Sequence, residues 1–211
     1  MKIILSDAGK RFNREWIFRH LNYQFLSSQA YAITGANGSG KSTLLQFIAG
    51  ALMPSEGKLE YYLENDQPVS AQFPFFSIAA PYLETIDEMT ALEFLQFHHQ
   101  FKPLITGLSP LQILEKLGLK EAAEKQIRYY SSGMKQRVKL AQAFFSDTPV
   151  LLLDEPTTNL DGSGIALYQE LIRDYCRERL VIVSSNDPQE YSFCNTILDM
   201  RDLKSVKVWG V

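Results

Sequence analysis

The sequence predicts an α/β fold: a mostly parallel core sheet, an antiparallel β subdomain and an inserted helical subdomain. Three observations carry this. Residues 31–33, 150–153 and 180–183 are apolar without interruption, the pattern of strands covered on both faces. The first and second are followed by glycine- or acid-containing turns and then by helical spacing. Between about residue 85 and residue 130, strand signals give way to helix caps.

Residues 2–6 read as a short strand. Residues 16–25 read as another, with Phe18, Leu21, Tyr23 and Phe25 at its apolar positions. Phe12 lies on the turn between them. It is either a partly buried loop aromatic or a platform for an adenine ring, and such stacking is worth about 1–3 kcal/mol per base. Trp16 is the second candidate for that role.

The stretch Gly35-Ala36-Asn37-Gly38-Ser39-Gly40-Lys41-Ser42-Thr43 follows the strand at 31–34 and opens a helix that glycine closes at Gly50. Two glycines with four residues between them, then Lys and Ser, in a strand–loop–helix setting, make a phosphate-binding loop. Glycine lets the backbone curl until successive N–H groups face phosphate oxygens, and the helix dipole adds positive potential there. Lys41 is expected on the β- and γ-phosphates, and the Ser42 hydroxyl on Mg²⁺.

Residues 53–57 read as a turn and 58–63 as a strand. Residues 65–76, with Pro68 and Pro74, are irregular, and 77–83 end a buried strand. Thr90 with Glu93 forms a capping box for one helix. Ser109, Pro110 and Gly118 bracket a second, and residues 121–127 suggest a third. The division is therefore 85–130 as the helical subdomain, and 1–84 with 131–211 as the core carrying the β subdomain. His98 and His99 point about 100° apart on a helix, which makes them a poor metal pair.

The turn Tyr130-Ser131-Ser132-Gly133-Met134 leads into a helix whose first N–H groups suit an anion. The strand at 150–153 ends in Asp154 and Glu155. In an open α/β sheet ligands sit beyond the carboxyl ends of the strands. Asp154 is thus expected in the Mg²⁺ shell, and Glu155 beside the γ-phosphate as the base for water. A tight turn through Asp161 caps the next helix, and the strand at 180–185 ends at Asn186. Residues 196–200 and 205–208 read as a closing hairpin.

Bulk properties bound the rest. A chain of 211 residues supports one core with a small attached subdomain. The net charge of −3 and the lack of a long basic run argue against a broad nucleic-acid face. Cys176 and Cys194 lack metal or CxxC spacing and read as reduced thiols of a cytoplasmic protein. No apolar run approaches 18 residues, so any membrane role runs through a partner chain.

In this order, the phosphate loop, the Ser-Ser-Gly helix start, the Leu-Leu-Leu-Asp-Glu-Pro strand and the Asn159-Leu160-Asp161 turn resemble the ATP-binding subunit of an ABC transporter, a P-loop NTPase. The resemblance spans nearly the whole chain. It implies ATP and Mg²⁺ as ligands, Phe12 as the adenine-stacking aromatic, and Ser131, Ser132 and Gly133 as a signature loop that touches the γ-phosphate bound by a second ABC ATPase copy or paralogue. Asp161 marks the turn where the copies meet. A separate transmembrane permease subunit would hold the pair at the inner face of the membrane, against the helical insert. Three departures stand out. Ser132 replaces a glycine and Met134 a glutamine. Pro81 stands where the family has a Mg²⁺- and water-binding glutamine, with Glu84 or water as the substitute. Asn186 stands where the family has a catalytic histidine. Asn keeps a hydrogen-bond donor but cannot carry charge, so slow but real hydrolysis is expected. The rival readings are a soluble ABC-type ATPase of the iron–sulfur-assembly kind and a nucleotide sensor with little turnover.

Overall fold

A computed structural model describes residues 1–205. Among these residues, eight strands and seven α-helices follow in the order β1 (Lys2–Phe12), β2 (Glu15–Phe25), β3 (Ala30–Thr34), α1 (Lys41–Ile48), β4 (Glu56–Tyr62), β5 (Phe76–Ala79), α2 (Ala91–His99), α3 (Pro110–Lys116), α4 (Ser132–Phe144), β6 (Val150–Asp154), α5 (Gly162–Tyr175), β7 (Leu180–Ser184), α6 (Pro188–Tyr191), β8 (Thr196–Asp199) and α7 (Met200–Ser205). The core sheet runs β5-β6-β7-β3-β8, with each neighbouring pair parallel. A second sheet, β2-β1-β4, is antiparallel. The predicted α/β class is the observed one.

The alternation of side chains along the buried strands builds two cores. Leu151, Leu153, Val181 and Val183 face one side, with Phe94, Ile113, Val138, Phe144 and Leu171 of the helices there. Val150, Leu152, Leu180 and Ile182 face the other, with Leu44, Phe47 and Ile48 of α1 and with Ile3, Leu5, Phe18 and Phe25 of the antiparallel sheet. With both faces covered there is no polar alternation to read, which is why these strands appear as plain apolar runs.

The caps form as their residues dictate. Thr90 Oγ1 accepts the Glu93 N–H while Glu93 returns the bond to Thr90. Ser109 and Gln112 do the same for α3. Three expectations need correction. Residues 121–127 form no α-helix; two 3₁₀ turns, Lys120–Ala122 and Ile127–Tyr129, take their place. Neither is capped by a side chain. The strand at 2–6 continues to Phe12, helped by bulges where it pairs with β2. Among the described residues the tail forms no hairpin: Thr196–Asp199 runs parallel to β3 at the sheet edge, and Met200 and Leu203 of α7 turn back onto the core. Of the hairpin's second arm, residues 206–208 lie outside the described residues.

Candidate nucleotide site

Three carboxyl ends lie side by side in the core sheet, because Ile33 pairs with Ser184 and Ser184 with Asp154. The phosphate loop leaves β3 at this edge. Gly35, Gly38 and Gly40 take φ values of 142°, 76° and 106°, a backbone that L side chains rarely adopt. The Ser39 N–H closes the curl on the Ala36 carbonyl at 2.9 Å. Gly40 caps α1 with no room to spare: a Cβ there would stand 2.2 Å from Ile17 Cγ2. Lys41 is buried, and its ammonium donates to the Gly35 carbonyl at 2.8 Å across the loop.

Glu155 follows the last residue of β6 and sits at φ 44°. Backbone of that kind in a non-glycine residue costs on the order of 1–3 kcal/mol and clusters at working sites. Its N–H donates to the Ser184 carbonyl at 2.9 Å. Its side chain lines one cleft of about 230 Å³ with Ile17, Asn37, Gly38, Gly40, Lys41, Ser42 and Thr43. Behind it, Asp154 is 2% exposed, and its Oδ1 is buried with no hydrogen-bond partner; the same holds for Ser39 Oγ and Ser184 Oγ. An unpaired buried carboxylate oxygen is costly in a bare protein. It fits a hard divalent cation, which Mg²⁺ sites provide through one or two protein oxygens plus substrate phosphates.

Asn186 is tied to the loop. Its Oδ1 accepts the Gly35 N–H at 3.2 Å and its Nδ2 donates to Asn37 Oδ1 at 3.1 Å. Together with Glu155 it lines an adjoining cleft of about 400 Å³.

The remaining residues lie apart. Ser131 caps α4, its Oγ accepting the Met134 N–H at 3.2 Å. With Ser132, Gly133 and Asp161 it lines a separate cleft of about 430 Å³. Gly133 packs against the turn there, since a Cβ would lie 3.0 Å from the Asn159 carbonyl oxygen. Asp161 caps α5, and its bond from Ser163 Oγ, then that from the Gly164 N–H, hold its carboxyl below the usual range. Phe12 is exposed, with the Lys10 ammonium 5.2 Å from its ring centre. Trp16 is covered by the Arg19 guanidinium at 4.5 Å. Glu84 lines neither the phosphate cleft nor its neighbour; it shares a groove with Lys135, Lys139 and Ser132.

Two residues escaped sequence reasoning. Ile17 walls the phosphate cleft, and nothing in an alternating strand marks it. Tyr82, next to Pro81, stays 43% exposed, and its phenol is pushed up to about 12 by partial burial first and by the Asp154 charge second.

The sequence signature of ABC transporters matches residues 18–158. The chain belongs to the ABC transporter family. An ABC transporter ATP-binding protein of Bacillus subtilis, YybJ, is 27% identical over 94% of this chain and 92% of its own length. The cytochrome c biogenesis ATP-binding export protein CcmA of Mesorhizobium japonicum is 35% identical over 88% and 91%. Among solved structures, a putative ABC transporter ATP-binding protein from Pyrococcus furiosus superposes with a TM-score of 0.80 over 97% of this chain and all of that one, at 19% identity, which speaks for the fold alone. Within the ABC transporter family this chain is the ATP-binding ATPase component. No helix among its described residues is long and apolar enough to cross a membrane.

Proposed function

We propose that this ABC ATPase works as a pair, with a second copy or a paralogue, and powers a separate transmembrane subunit from the inner face of the membrane. The observation that carries the reading is the shared cleft: Lys41, Ser42 and Glu155 line one space at the carboxyl ends of β3 and β6. The N–H groups of residues 35–43 and the Lys41 ammonium bind the triphosphate of ATP. Ser42 and the unpaired Oδ1 of Asp154 would hold Mg²⁺, which would supply positive charge against the phosphates. Glu155 accepts the proton of the attacking water, whose oxygen bonds to the γ-phosphorus as the bond to ADP breaks. Asn186 orients that end of the loop. Phe12, whose ring is less covered than that of Trp16, stacks on adenine.

Ser131, Ser132 and Gly133 lie outside the phosphate cleft of their own chain, which supports their service to the γ-phosphate of the partner copy, with Asp161 at the seam. Residues 85–130 form the helical insert that receives the permease. Exposed Phe73, Phe97 and Phe101 on or beside that insert support this.

Glu155→Gln tests the scheme. It should hold an ATP-bound dimer on a sizing column, and a monomer at saturating ATP would refute the paired model. Lys41→Ala should abolish nucleotide binding, and unchanged affinity would remove the phosphate-loop assignment. Pro81 and the engaged Asn186 amide favour one rival, a nucleotide sensor. Steady-state phosphate release no greater than that of Glu155→Gln would select it.

A further inference from the structure

Glu155 keeps a left-handed φ of 44°, and such strain persists only where the surroundings over-determine it. Besides the Glu155 N–H bond to the Ser184 carbonyl of β7, side chains of two helices restrain the turn. Pro156 has no N–H, so its carbonyl is its only backbone handle. That carbonyl accepts from Gln136 Nε2 of α4 at 2.7 Å, and Gln136 is 4% exposed. On the other side, Glu190 of α6 is 3% exposed, and its Oε1 accepts both the Thr157 N–H at 2.7 Å and the Thr157 hydroxyl at 2.5 Å. The Tyr168 hydroxyl anchors Glu190 in turn, donating to its carbonyl at 2.7 Å. Burying a carboxylate and an amide is costly unless each finds a fixed partner. Here both are spent on the two residues that follow Glu155, although bulk packing would be served by apolar side chains of similar size.

We propose that Gln136 and Glu190 are positioning residues that clamp the Glu155–Pro156–Thr157 turn and so aim the Glu155 carboxylate. Neither lines the cleft that holds Lys41 and Ser42. Each reaches the turn from an element with a second duty. Gln136 is on the helix that Ser131 caps, and Glu190 is on the helix that follows Asn186. The clamp thereby joins the helix start facing a partner copy, the acid of this chain's own site, and the loop that ties Asn186 to Gly35. The inference rests on Glu155 acting as the base.

The test is steady-state ATP hydrolysis with purified wild type, Glu190→Ala, Glu190→Gln and Gln136→Leu, each checked by thermal melting. Glu190→Ala and Gln136→Leu should lower kcat by about 10–100-fold while KM for ATP stays within about threefold, the signature of an interaction that matters after binding. Glu190→Gln keeps an acceptor oxygen for Thr157 and should stay within about threefold of wild type. In a Glu155→Gln background, Glu190→Ala should add no further fall, because it acts through the group already removed. Should Glu190→Ala fail to fold, Gln136→Leu and Glu190→Gln decide the matter through the same kcat and KM readings. Unchanged kcat in Glu190→Ala or Gln136→Leu, a KM that rises as far as kcat falls, or Glu190→Gln as damaged as Glu190→Ala would overturn the clamp while leaving Glu155 in place. Wild-type turnover no greater than that of Glu155→Gln would overturn the base assignment itself, and the clamp with it.

Discussion

Replacing Gly40 by alanine separates two reasons why the phosphate loop needs glycine. Gly40 caps α1 at φ 106°. A side chain forced into left-handed backbone loses about 1–2 kcal/mol. The new methyl would also stand 2.2 Å from Ile17 Cγ2, and overpacking of this kind costs about 1–3 kcal/mol. Together that is about 2–5 kcal/mol, or a melting temperature lower by roughly 5–20 °C for a chain of this size. A cycle with Ile17→Ala divides the sum. With the isoleucine gone, Gly40→Ala should cost only the backbone part, so the pair should couple by about 1–3 kcal/mol. Thermal or urea denaturation of the four chains measures this. ATP binding on the same four should be weakest in Gly40→Ala and partly restored in the double variant. Equal cost of Gly40→Ala in both backgrounds would remove Ile17 as the obstacle. A cost below about 0.5 kcal/mol in the wild-type background would refute both the strain and the clash.

Asn186→Ala removes the acceptor of the Gly35 N–H and the partner of Asn37; kcat should fall by about 10–100-fold, and a change confined to KM would contradict the role. His98 is held down to about 4, by burial first and the Lys102 charge second, with its Nε2 at 2.8 Å from Ser146 Oγ. Because the folded value lies below the unfolded value of about 6.5, the unfolded chain binds the extra proton, and stability falls as pH drops from 6.5 toward 4. At pH 5 the loss from this group is about 2 kcal/mol; His98→Gln should show a correspondingly shallower fall in urea titrations at pH 7 and pH 5, and parallel slopes would dismiss it. Thr90→Ala breaks the capping box of α2 and should cost about 1 kcal/mol, a melting shift of roughly 2–4 °C; no shift would mean that tertiary packing alone holds that helix start.

Much of the site was legible because its chemistry is local. A loop that curls around phosphate needs Gly35, Gly38, Gly40, Lys41 and Ser42 in consecutive register, and sequence order is the register. Capping boxes are local for the same reason, so Thr90 and Ser109 announce their helices. The tail misled because strand propensity does not say which neighbour a strand joins. The segment at 196–199 chose β3, and 200–205 closed over it as a helix.

From its order of residues alone, this chain determined its α/β class, its family, and the glycine loop and acid pair of its candidate site, since each depends on side chains a few positions apart. Only the tertiary structure decided what meets what. It set Glu155 in the cleft of Lys41, left Asp154 Oδ1 buried and unpaired, and separated Ser131 and Asp161 from that cleft. It also brought Ile17, Gln136 and Glu190 to the site. Those contacts join residues tens to more than a hundred positions apart, and they exist only because two hydrophobic cores press the strands, helices and loops into one arrangement.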